Sequence, residues 1–560
     1  QERTGVKERR WIDPKTDDTT STMAVKASKI AIERSGLKKN DIDFIIFATL
    51  ALKSKPIKMI NFEHLEIWFI TGSQHLYGSE TLKQVDKNSA TIVNGLNASK
   101  KLPIKVVFKP VVKTPDEILD ICVSASSDKN CIGIITWMHT FSPAKMWIAG
   151  LKALSKPYMH LHTQFNRDLP WNEIDMDYMN LHQSAHGGRE YGFINARMRK
   201  NRKVIVGHWQ DENVQNQVAN WCRTAIGWAD SQGLKVARFG DNMREVAVTE
   251  GDKVEAQIKF GWQIGAYGVG DLVKYIEKIS EAEVDKLYKE YESLYTVAIN
   301  CKPGGEYHEN VRVQARYEIA MKRFMEEGNF KAFTTNFENL TGLAQLPGLA
   351  SQRLMDAGYG FGAEGDWKQA ALLRILKTMS IGMKGGSSFM EDYTYHLDPN
   401  NEAVLGAHML EICPTIAAKK PRLEVHPLGI GGKEAPARLI FESATGDAMN
   451  VTLIDMGNRF RIIVNTLDVI EPLESMPKLP VASAFWKTHP NLADGAAAWI
   501  YAGGTHHSAF TLALTPEFIE TFAELADVEF IIIDKDTKIS EFKKELRWND
   551  VYYMLANGVK

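Results

Sequence analysis

The stretch Asn61–Gly78, NFEHLEIWFITGSQHLYG, decides the fold. Its apolar run, Ile67–Ile70, precedes a glycine- and polar-rich loop, and helical spacing begins near Glu80. Strand, loop and helix in that order open an α/β domain. Downstream, strands are expected at Ile104–Val112, Cys131–Met138 and Tyr158–Phe165, with helices near Pro115–Ala125 and Ala144–Leu154 between them. Apolar strands that alternate with helices imply a parallel sheet covered on both faces. A second alternating stretch is read from Lys203–Val206 through Lys235–Phe239, two long helices at Glu281–Leu294 and Glu309–Glu327, and Lys331–Thr335. After a helix at Trp367–Met379 the pattern turns to strands, Arg438–Phe441, Asn450–Asp455 and Phe460–Asn465, joined by TGD and MGN turns. The tail returns to helix, strand and helix. The expected fold class is therefore α/β: two Rossmann-like α/β domains, 59–234 and 235–385, then a β-rich C-terminal domain, 386–560, with antiparallel strands.

Composition sets the outer limits. A chain of 560 residues has room for several domains, and 44% apolar with 24% charged residues is ordinary for a globular protein. A net charge of −2 gives no field suited to polyanions, so nucleic acid is not an expected partner. No run is long and apolar enough for a membrane helix or a signal core, so no membrane association and a cytoplasmic location are expected. Five cysteines, at 122, 131, 222, 301 and 413, form no CxxC pattern and fit a reducing compartment as packing residues.

The text between Phe333 and Pro414 is rich in glycine, carboxylates, histidine and aromatics. Glu364 lies in Gly-Ala-Glu-Gly-Asp-Trp at the expected start of a helix, Glu391 where a strand is expected to begin, His408 in Gly-Ala-His-Met-Leu-Glu, and His506-His507 follow Gly503-Gly504-Thr505. Two carboxylates and two imidazoles suit a borderline-hard divalent ion such as Mn²⁺. An aldose–ketose isomerase needs such chemistry: a base beside a carbonyl, an acid at the neighbouring oxygen, and a cation to stabilise the charge that develops. The spacing matches no compact metal motif, and plainer readings stand beside this one. The histidines can be hydrogen-bonded loop residues. Glu364 can favour a helix N-terminus, and Glu391-Asp392 can be a solvated strand edge, with Tyr393 and Tyr395 alternating on a half-buried strand. Gly429-Ile430-Gly431-Gly432-Lys433 lacks the full phosphate-loop pattern and reads as a turn.

From Met59 to about Tyr553 the chain resembles the bacterial L-arabinose isomerase family. The resemblance is carried by GSQHLYG, HTFSPAKMW, HTQFN, QSAHGGRE, GHWQD, RFGDNMREVAVTEGDKVEAQIKFG, QLPGLASQRLM, EGDWK, FMEDYTYH, HMLEICP, LGIGGK, PKLPVA and AGGTHH. It implies a fucose isomerase-like architecture whose C-terminal domain holds an antiparallel β-barrel. It implies one Mn²⁺ per subunit, with Co²⁺ or Mg²⁺ as substitutes, held by Glu364, Glu391, His408 and His507. It implies that Glu364 and Glu391 shuttle a proton between sugar C1 and C2. Implied sugar contacts are Gln74, Leu76, Tyr77, Gln183, His186, Met243 and Phe337. For Met243 and Phe337 the alternative is an ordinary core role, whereas His186, beside Gly187-Gly188, is expected to be a buried functional histidine. It implies a free pentose as substrate and a homo-hexamer whose sites lie between adjacent subunits. A ketol-isomerase of another sugar, L-fucose or D-galactose, and a sugar-binding protein that has lost catalysis are the competing readings.

Residues 1–58 depart from that family. Through RTGVKERRW and TSTMAVKASKIAIERSGLKKNDIDFIIFATL they resemble an internal fragment of a type III, thiolase-like beta-ketoacyl synthase. That class uses a Cys–His–Asn set, and this fragment has neither cysteine nor histidine, so it cannot catalyse condensation. A fused or misjoined reading frame that contributes nothing to function is expected. An appended module that steers assembly is the alternative.

Overall fold

The computed structural model describes residues 62, 64–429 and 432–558. Residues 1–58, on which the synthase resemblance was read, and part of the Gly429–Lys433 turn lie outside the described residues. The first sheet contains β1 (Glu66–Gly72), β2 (Lys105–Phe108), β3 (Cys131–Met138), β4 (Tyr158–His162) and β5 (Lys203–Val206). All pairings are parallel, in the order β2-β1-β3-β4-β5. Every residue of the central strand β3 is buried, as an unbroken apolar run in a sheet covered on both faces requires. The covering helices start where the sequence signals them. Thr114 accepts a hydrogen bond from the Glu117 N–H, and Pro115 takes the first turn of Pro115–Ser127. Lys203–Val206, read as the start of the second alternating stretch although inside the expected first domain 59–234, completes the first sheet beside β4. Strand identity was legible there, whereas partner choice depends on the crossover path.

The second sheet is also parallel, with β6 (Lys235–Phe239), β7 (Gln263–Tyr267), β9 (Ala332–Thr335) and β10 (Gly360–Gly362) in the order β10-β9-β6-β7. Between β7 and β9 the short β8 (Thr296–Val297) pairs away from this sheet. Its flanking helices, Glu281–Leu294 and His308–Gly328, include one opened by a reciprocal Ser280/Glu283 capping box.

The third region holds β11 (Ser387–His396), β12 (Ala403–Ala407), β13 (Arg422–Val425), β14 (Ala437–Ile440), β15 (Gly446–Asp455), β16 (Phe460–Ile470), β17 (Ser483–Thr488), β18 (His507–Thr511) and β19 (Glu529–Ile533). Six strands run β15-β18-β11-β12-β17-β16, and β16 pairs back onto β15, which closes an antiparallel barrel. Closure removes the free edges, while β19 adds in parallel outside β16. The MGN turn joins β15 to β16 as expected. The TGD turn is no hairpin, because β14 belongs to a separate small sheet with β13 and β8. Helix Trp367–Met379 is buried along its whole length between the second sheet and the barrel. Its Arg374 meets Asp230 of helix Glu212–Ser231 at 2.7 Å, and Lys331 and Thr378 complete that buried carboxylate's partners. All five cysteines are free and buried. Among the described residues no helix is long and apolar enough to cross a membrane.

Candidate active site

The barrel mouth and the N-terminus of Trp367–Met379 bring four expected residues together. Antiparallel register places Glu391 on β11 opposite His507 on β18 and beside Ala407 of β12, one residue before His408. His507 Nε2 lies 3.5 Å from both Glu364 Oε2 and Glu391 Oε1, and His408 Nε2 lies 3.3 Å from Glu391 Oε1. Phe389 packs in T-shaped contacts against both imidazoles.

Glu364 is not in the helix. It occupies the turn before it, with φ at +60°, a left-handed conformation that costs a non-glycine residue about 1–3 kcal/mol. Its carbonyl accepts the Met243 N–H at 2.9 Å, and the Gly365 N–H donates to Thr335 O at 3.1 Å. The helix-capping role considered for Glu364 falls instead to Asp366, which accepts from the Lys368 and Gln369 N–H groups. Glu391 is the fifth residue of β11 and is buried, so the solvated-edge reading fails for it; Tyr393 and Tyr395 further along are exposed.

Each imidazole has a carboxylate behind it. His507 Nδ1–H donates to the fully buried Asp366 at 3.0 Å, and His408 Nδ1–H donates to Glu411 at 2.6 Å. Buried Lys368 reaches Asp366 at 3.2 Å and donates to the Val248 and Glu250 carbonyls. Both Nε2 atoms are buried without a hydrogen-bond partner, and both face the glutamates. A buried nitrogen without a partner, its ring fixed by a carboxylate on the other side, is how a protein prepares a histidine ligand. This donor set fits a divalent cation.

The charges agree with that reading. Burial opposes ionisation of Glu364, but the neighbouring imidazoles of His506, His507 and His408 bring its pKa below the usual carboxylate value. Burial likewise opposes Glu391, and His408 above all outweighs it, so that carboxyl is held low too. Burial disfavours charge on His507, yet Asp366 and Glu364 raise its pKa to about 9. His408 is raised well above the ordinary value against the same burial cost, by Glu391 and Glu411. Excess negative charge here is balanced by protons on imidazole, and a cation would replace those protons.

Asp366, Glu411 and Lys368 were not singled out from sequence, although Glu-x-Asp and His-x-x-Glu spacings were visible in EGDWK and HMLE. His506 was noted only as half of a pair; Glu364, His506 and His507 present ligand atoms within 4.8 Å of one another.

The seven candidate sugar contacts divide into two groups. Phe337 lines a cavity of about 20 Å³ with Glu364 and His408, and Met243 is tied to Glu364 through the backbone. That cavity holds roughly one water and excludes a pentose. Phe337 and Met243 are partly buried, and Phe337 packs against the hydrophobic core. The other five sit at the carboxyl end of the first sheet. Gln74, the exposed Leu76 and the half-buried Tyr77 follow β1, and Gln183 Nε2 donates to the Tyr77 hydroxyl at 3.2 Å. His186 Nδ1 meets Gln183 Oε1 at 3.2 Å and stacks on Phe141. His186 is exposed, contrary to expectation. The buried neighbours are Gly187 and Gly188, where a Cβ would meet Thr140 O at 2.7 Å and His162 Nδ1 at 2.3 Å, so the glycine pair lets the helix approach β3 and β4. Among the described residues, no hydrogen bond, ion pair or ring contact joins the two groups.

Three family models match in series: the L-arabinose isomerase N-terminal domain over residues 61–233, the central domain over 235–382 and the C-terminal domain over 386–529. A Herpetosiphon aurantiacus protein named L-arabinose isomerase is 59% identical over 501 residues, 90% of this chain and 100% of its own length. Proteins of the same name from Geobacillus stearothermophilus and Yersinia pseudotuberculosis are 59% and 58% identical, each over 88% of this chain and 99% of their own.

Proposed function

The chain belongs to the L-arabinose isomerase family and interconverts L-arabinose and L-ribulose, and we propose that it does so at the barrel mouth, with Glu364 and Glu391 as the proton-transferring pair. The observation that carries this site is the pair of buried Nε2 atoms, each backed by a carboxylate and turned toward those glutamates. Glu364, Glu391, His408 and His507 hold one divalent cation, Mn²⁺ by preference, with Co²⁺ or Mg²⁺ as substitutes. When bound, it withdraws electron density from the sugar oxygens at C1 and C2. The residues do the rest. One glutamate takes the proton from the carbon beside the carbonyl and returns it to the neighbouring carbon through an enediol, while the other relays the hydroxyl proton from one sugar oxygen to the next. Asp366 and Glu411 keep both imidazoles oriented, and the strained turn holds Glu364 in place.

The five contacts on the first sheet and the two at the barrel fit a site shared between subunits. The crevice of one chain closes over the barrel mouth of the next in a homo-hexamer, which encloses the pentose between them. The five buried free thiols fit a cytoplasmic setting, and the reaction opens arabinose catabolism. A binding protein would have no use for two glutamates kept ionised at the cation site.

The test is conversion of L-arabinose to L-ribulose by metal-stripped protein, before and after Mn²⁺, beside Glu364→Gln. Activity restored by Mn²⁺ and absent in the variant is the expected result. No activity in the Mn²⁺-loaded parent would overturn the reading.

A further inference from the structure

The first sheet has the strand order of a doubly wound fold, and its topological switch lies between β1 and β3, whose outgoing loops diverge. Ligands of such sheets bind outside the carboxyl ends of the strands at that point. Here the β1 loop carries Gln74, Leu76 and Tyr77, and the β3 loop begins with His139. We propose that His139 is a positioning residue that sets the spacing of this crevice for the sugar. The inference rests on the reading that the crevice contacts the sugar.

His139 is fully buried, and its ring stacks on Trp137 with centroids 4.4 Å apart. Gln84 Nε2 donates to Asn88 Oδ1 at 2.7 Å, which orients the Asn88 amide so that its Nδ2 donates to His139 Nε2 at 2.8 Å. Nε2 is therefore an acceptor and the imidazole is neutral; burial keeps it so, with a pKa lowered to about 3. The His139 carbonyl accepts the Gln183 N–H at 2.9 Å. Gln183 in turn reaches the Tyr77 hydroxyl, and Tyr77 immediately precedes helix Gly78–Ala98, which carries Asn88. The circuit Tyr77, Asn88, His139, Gln183 and back to Tyr77 is closed. His139 is its only member with no exposed surface. A second tie, Ser73 Oγ to Thr140 Oγ1 at 2.7 Å, links the same two loops. His139 has no direct path to the sugar, so it acts through the placement of Tyr77 and Gln183.

The experiment is steady-state kinetics on the full-length, Mn²⁺-loaded protein. His139→Phe keeps the stacking on Trp137 but removes the acceptor, and His139→Gln restores one. The expected result is a KM for L-arabinose raised about tenfold in His139→Phe, kcat within about threefold, an unchanged Mn²⁺ half-saturation, and partial rescue in His139→Gln. Should His139→Phe fail to fold, Asn88→Leu, which removes the donor, must raise KM in the same way. An unchanged KM in the folded variant, or KM, kcat and Mn²⁺ response all impaired together, overturns the proposal. Gln183→Ala separates it from its premise: KM raised there but not in the His139 or Asn88 variants defeats positioning alone, and KM unchanged there defeats the crevice reading and the proposal with it.

Discussion

Two pairs of buried histidines are treated in opposite ways. In the first sheet, His139 just past β3 and His160 within β4 are buried without a carboxylate partner, and burial lowers both pKa values to about 3. At the barrel mouth, His408 and His507 are as deeply buried, yet their pKa values rise, that of His507 to about 9. Four carboxylates make the difference: Asp366 and Glu411 behind the rings, Glu364 and Glu391 in front. Burial alone yields a neutral hydrogen-bonding wedge. Burial among carboxylates yields a ring that must share its site with a proton or a metal ion.

Substitutions at the barrel mouth should have the largest effects. Glu364→Gln and Glu391→Gln should each lower kcat/KM by about 10³-fold or more with the fold retained, as circular dichroism and turnover assays would read. Asp366→Asn and Glu411→Gln touch no ligand atom of the glutamates, and should weaken Mn²⁺ binding by about 10–100-fold in calorimetric titration. If they do not, the carboxylates behind the rings are mere ballast. Because a cation must displace protons from imidazoles whose pKa values are raised, Mn²⁺ affinity should climb by up to about tenfold per pH unit for each proton displaced as pH rises toward about 9, with measurable proton release.

The first sheet should show the opposite sign. A histidine whose folded pKa is depressed from 6.5 to about 3 contributes stability that is complete above pH 6.5 and lost as pH falls toward 3. Acid unfolding of the metal-stripped protein should therefore be shallower in a His139→Phe/His160→Phe variant, by on the order of a few kcal/mol over that window.

Sequence and structure agree most where a local signal suffices. Cys131–Met138, Lys235–Phe239, Glu281–Leu294 and Trp367–Met379 fall on their expected bounds, because apolar periodicity and caps are properties of consecutive residues. The pairing of β5 into the first sheet and the separation of β14 from β15 were not legible, since they depend on contacts far apart in the chain. The four residues at the barrel mouth could be collected from sequence by their types and by family resemblance. Their convergence is a matter of barrel register: Glu391 meets His507 because β11 pairs with β18. Asp366 and Glu411 escaped notice because a carboxylate beside a histidine motif has no signature until the ring turns toward it. His186 was misjudged for a similar reason, since glycine neighbours say that something packs closely, not which residue does.

The comparison is tested most directly by pulsed electron paramagnetic resonance of the Mn²⁺-loaded protein, which detects imidazole nitrogens bound to the ion. The account predicts two, one lost in His408→Ala and the other in His507→Ala, with both retained in His139→Gln. Nitrogen coupling that survives both barrel substitutions, or none in the parent protein, would contradict it.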